Sequence, residues 1–222
     1  MRVNPQREAE DVALVRALIA GERRAPRVLW RRFAPLVFRI LRRTLGPGHD
    51  VEDLVQDIFL CVFEKVPTLR EPAALRKFII SITAITARSE IRRRWVRRWI
   101  RLASKEDASQ EGVFDVDMES REALRRFYGV LDRLNADHRT LFVLRFVEAL
   151  TLRDVAAACG LSLATTKRRL ARARSRVLLL VERDPVLCAY VTRDAFSLKT
   201  GPDLDRPAGL VEVVVGALHA TP

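Results

Sequence analysis

Between Leu163 and Arg176 the sequence LATTKRRLARARSR carries six cations and no acid. At about 100° per residue, Thr165, Arg168, Arg172 and Arg176 share one side of a helix, Arg169 lies at its border, and Thr166, Leu170, Ala173 and Val177 take the other. Side chains of this type hold phosphates, and an arginine can also give two hydrogen bonds to a guanine edge. The residues leave both roles open. A second cationic run, RRRWVRRWIR from Arg92 to Arg101, holds six arginines and two tryptophans. Nucleic acid, an anionic membrane surface or a partner protein could each use it. Asp50, Asp53, Gln56 and Asp57 form a third group. The last three share one helical side, away from Leu54, Ile58 and Cys61, where they can meet a basic or polar surface or simply face solvent.

Catalytic chemistry has little support. His49, His138 and His219 lack ligand-spaced partners, and there is no Gly-rich phosphate loop or nucleophile motif. We therefore expect no enzyme, no cofactor and no metal. Cys61, Cys159 and Cys188 are odd in number and far apart in apolar stretches, which predicts reduced thiols.

The elements that must position these groups read as helices. Apolar residues recur at three- and four-residue spacing up to position 184, so the expected fold class is all-α. Helices are predicted over 11–20, 27–45, with Pro35 bending or dividing it, and 51–66, with Asp50 as N-cap. A fourth starts near Pro72 and runs into the arginine-tryptophan stretch. There Ile91, Trp95, Trp99 and Leu102 form an apolar side expected to seat the helix on its own domain. Arg93, Arg94, Arg97, Arg98 and Arg101 fill the opposite arc, and Arg92 stands apart among apolar neighbours. Leu102 to Ser120 then carries six acids against one lysine, the profile of a flexible linker. Further helices are expected over 121–134, 136–147, 152–159 and 163–183, stopped by Asp184-Pro185. Thr151 and Ser162 are predicted caps, and Gly160 supplies a left-handed turn. Together they make a helix-turn-helix.

The expected organisation is two small helical domains, 1–101 and 121–184, joined by the acidic linker 102–120 and followed by a loosely structured extension, 185–222. The formal net charge of +12 favours a polyanionic partner. The N-terminus has no run of signal-peptide length, and no segment nears the roughly 20 apolar residues of a spanning helix. These features predict a cytoplasmic protein without membrane insertion.

Ser162 to Arg174, SLATTKRRLARAR, resembles the promoter-reading helix of the extracytoplasmic-function sigma factors of bacterial RNA polymerase. Asp50 to Leu60, DVEDLVQDIFL, is similar to the helix with which those factors grip the polymerase core. The resemblance spans roughly positions 11 to 183. It implies core polymerase and promoter DNA as partners, and an anti-sigma protein as a regulator. The core contact falls on Asp50, Asp53, Gln56 and Asp57, and minus-ten recognition on Arg92, Arg93, Arg94, Arg97 and Arg98. Minus-thirty-five recognition falls on Thr165, Lys167, Arg168, Arg169, Ala171 and Arg172. Departures cluster in the fourth helix, where Phe78, Ile85 and Ser89 stand at positions at which relatives carry tryptophan, asparagine and aspartate. Loss of the asparagine removes a group that helps hold an extruded base, which relaxes or alters minus-ten recognition. Arg168 stands where a serine is common. A helix-turn-helix regulator that never touches polymerase shares most of these features, and sequence-specific binding of duplex DNA by the isolated protein would distinguish it.

Overall fold

The computed structural model describes residues 5–46, 49–103 and 118–191, and these are helical with no strand among them. The first half holds α1 (Pro5–Ile19), α2 (Ala25–Leu45), α3 (Glu52–Lys65) and α4 (Leu75–Ala103). The second holds α5 (Met118–Leu131), α6 (Ala136–Phe142), α7 (Leu152–Cys159), α8 (Leu163–Glu182) and α9 (Pro185–Val191). Most of the predicted acidic linker, 104–117, and the tail from 192 onward lie outside the described residues.

Pro35 neither breaks nor divides α2, which runs unbroken to Leu45. Its ring and Arg31, whose carbonyl it leaves without a helical donor, both lie on the exposed side, where water can satisfy that carbonyl. The opposite side, from Leu29 through Phe33, Val37 and Ile40 to Leu41, is buried and holds the helix together. Asp50 caps α3 from one residue further out than expected. Its Oδ1 accepts the Glu52 N–H at 3.0 Å, while Val51 occupies the N-cap position.

The expected helix over 136–147 divides into α6 and a π-helical turn, Val143–Val147. The predicted stop at Asp184-Pro185 is also a start. Asp184 Oδ1 accepts the N–H groups of Val186 (3.0 Å) and Leu187 (3.1 Å), and Pro185 takes the first helical position of α9. Burial opposes the charge on Asp184, but these amides and Arg126 outweigh it and hold the carboxyl below its usual range. Leu187 is fully buried, and α9 packs on α5 and α8, so the extension beyond 184 begins as part of the fold.

The two halves share one core. Helix α4 packs on α2 and α3 and also on α6 and α7, while the π-helical turn lies against α2. Gly46, at φ +91° and ψ 174°, sits where a Cβ would come 3.0 Å from the Tyr128 ring of α5. Only glycine enters that backbone region readily. Arg139 of α6, 3% exposed, donates from Nε to the Thr44 carbonyl at 2.6 Å and pairs with Asp132. These pins were absent from the sequence reading, because contacts some ninety residues apart in the chain leave no periodic trace.

Candidate nucleic-acid and polymerase interfaces

The helix-turn-helix is built by local capping. Thr151 Oγ1 accepts the Asp154 N–H at 3.1 Å and donates to the Asp154 carboxylate at 2.7 Å, which fixes the start of α7. Gly160, at φ +64°, ends α7 in the left-handed region. Ser162 Oγ then accepts the Thr165 N–H at 3.2 Å and starts α8. Thr166, Leu170, Ala173 and Val177 are buried as the wheel predicted, which turns Lys167, Arg168, Ala171 and Arg172 outward. Thr165 is half-buried, its hydroxyl accepting from Ser162 at 2.9 Å. Arg169 is half-buried as well and lies 3.6 Å from Asp137 of α6.

The arginines of α4 are organised by an acid the sequence reading passed over. Glu90 is buried, yet its carboxylate accepts from Arg94 Nε and Arg97 Nη2, each at 2.7 Å, and lies 3.6 Å from Arg93 Nη1. One acid set i−4, i−7 and i−3 from three arginines is a legible signal for such a fan. Arg92 points elsewhere, donating to Asp137 in the second half at 2.9 Å. The side chain of Arg98 lies outside the described residues.

The apolar side assigned to the end of α4 is only partly covered. Ile91 is buried, but Trp95 is 49% exposed and Val96 60% exposed, so Trp95 does not seat the helix as expected. A helical wheel ranks sides by polarity without showing whether another element arrives, and here none does. Trp99 and Leu102 lie outside the described side chains. Ile85, one of the departures, is also exposed, Ser89 faces solvent, and Phe78 is half-buried.

On α3, Val55, Ile58, Phe59 and Val62 are buried. Asp50, Asp53, Gln56 and Asp57 are exposed, and neither Asp53 nor Asp57 forms an ion pair among the described residues. Leu60, 66% exposed, follows on the same side, so this face combines acids with one apolar anchor. Its position seven residues after Asp53 made it findable.

Two family descriptions match the chain in order, Sigma-70 region 2 over residues 29–97 and Sigma-70 region 4 over residues 124–177. Among curated proteins, the ECF RNA polymerase sigma factor SigM of Mycobacterium tuberculosis is 28% identical, over 78% of this chain and 86% of its own length. The RNA polymerase sigma factor NccH of Alcaligenes xylosoxydans xylosoxydans is 26% identical over 79% and 97%. The chain belongs to the extracytoplasmic-function sigma factors. The solved structure of CnrH in complex with the cytosolic domain of CnrY shares the fold, with a TM-score of 0.57 at 22% identity, covering 78% of this sigma factor and 98% of that chain. As a sigma factor it directs promoter-specific initiation with core polymerase, and a regulator acting without polymerase is not favoured. Among the described residues, no helix of this sigma factor is long and apolar enough to cross a membrane.

Proposed function

We propose a division of labour within this sigma factor. The first half, residues 1–101, binds the polymerase core through the exposed side of α3 and the minus-ten region through the end of α4. The second, 121–184, reads the minus-thirty-five element with α8. The observation that carries this reading is the capped helix-turn-helix, whose outward face presents Lys167, Arg168 and Arg172 with no acid on α8 before Glu182. Asp53, Gln56, Asp57 and exposed Leu60 support the core contact, since acids around an apolar anchor suit a basic partner surface with an apolar pocket. The Glu90 fan supports the minus-ten assignment. A buried acid holds Arg93, Arg94 and Arg97 in register, leaving a cationic surface for the duplex backbone.

In this reading the protein acts in the cytoplasm through binding surfaces and performs no catalysis. The acidic segment 102–120 threads toward the polymerase active centre, and an anti-sigma protein controls access to core. The test separates the two binding tasks. Arg168→Ala with Arg172→Ala abolishes promoter selection while core binding persists, and Asp53→Lys with Asp57→Lys does the reverse. Equal loss of both functions in either variant would refute the division.

A further inference from the structure

Two carboxylates of the second half hold cations of the first. Glu148, after the π-helical turn, has a side chain 3% exposed and accepts from Arg43 Nη1 at 2.9 Å and from Arg39 Nε at 3.1 Å, both on α2. Asp137, in the first turn of α6, meets Arg92 at 2.9 Å and Arg88 at 3.8 Å from α4, and Arg169 at 3.6 Å from α8. Asp137 therefore draws together side chains from both surfaces assigned to promoter DNA.

That packing is incompatible with reading two promoter elements at once. The names minus-ten and minus-thirty-five imply about 25 base pairs, roughly 85 Å at 3.4 Å each. A compact chain of about 170 residues has a radius of gyration of about 15 Å, hence a width of about 40 Å. Residues 104–117 can add at most about 49 Å when extended, enough to cover the difference once the halves part.

We propose that the free protein is self-masked, with Glu148 and Asp137 latching the halves together, and that promoter phosphates replace Asp137 on Arg88, Arg92 and Arg169 when the halves separate. The exchange is chemically even, because an oxyanion leaves each guanidinium as another arrives. Glu148 makes the stronger half of the latch, since Arg43 is itself only 6% exposed and loses its buried counter-charge on opening. The proposal rests on the assignment of α4 and α8 to DNA.

The test compares the full-length chain with Asp137→Asn/Glu148→Gln and with Glu122→Gln. Glu122 pairs only with Arg125 and Arg126 of its own helix, so that control changes charge without touching the contact between halves. The latch variant is expected to show a larger radius of gyration by small-angle scattering. It should also bind a labelled mixed-sequence duplex at low salt about tenfold tighter, as several phosphate-binding cations are released. The control should match wild type in both. If the double variant loses helical circular dichroism, Asp137→Asn alone carries the affinity expectation, because that side chain is 31% exposed. An unchanged radius and unchanged affinity in the latch variants, or a wild-type chain already extended in solution, would overturn the proposal. Run-off transcription with core separates the two ideas. Initiation that Arg168→Ala/Arg172→Ala abolishes, alongside inert latch variants, removes the latch alone, whereas initiation insensitive to those arginines removes the DNA assignment.

Discussion

Arg92 and Arg94 differ by two positions and by everything that matters to their roles. Arg94 is tied to Glu90 within its helix, while Arg92 reaches Asp137 across the molecule. The sequence marked Arg92 as an outlier among apolar neighbours, and the structure supplies the reason: that side of α4 faces α6. His49 gives a second residue-level prediction. Burial, then Arg94 and Arg139, lower its pKa to about 4, while an unfolded histidine titrates near 6.5. As pH falls below about 6.5 the unfolded chain takes up a proton that the folded chain refuses, so stability drops between there and about 4. Thermal melts across that window should show the slope in wild type and a shallower one in His49→Gln. Identical slopes would place the acid sensitivity elsewhere.

At the scale of elements, α7 and α8 were legible to the residue at most ends because their boundaries are set locally. Thr151, Gly160 and Ser162 each act within three or four positions. Ser162→Ala should cost about 1 kcal/mol by removing the acceptor for the Thr165 N–H, lowering the melting temperature without abolishing the fold. The same reasoning applied to Asp184-Pro185 found an end and missed a beginning, although an acid followed by proline is also a helix-start signal. Helix α9 was lost for that reason. Trp95 was misassigned for another: amphipathicity gives a helix its apolar side but no neighbour to cover it. Gly46 is the element-scale position most sensitive to a single methyl. Gly46→Ala should cost about 1 to 3 kcal/mol, from strain in its glycine-only backbone conformation and from crowding of the Tyr128 ring. A denaturant midpoint unchanged from wild type would contradict the close approach of α2 and α5.

For the whole molecule, periodicity predicted the helical class and the order of surfaces along the chain, but gave no hint that the halves share a core. The contacts that join them are single residues, Arg43 to Glu148 and Arg92 to Asp137, spaced too far apart for any local pattern. A promoter-specificity subunit must nevertheless present α3 to polymerase and the arginines of α4 and α8 to DNA. The most direct test of this account is run-off transcription with purified core polymerase on genomic promoter templates. The chain should convert core into an initiating enzyme on a defined subset of templates, with Arg168→Ala/Arg172→Ala eliminating that selection while still binding core. No stimulation of core on any template would contradict it.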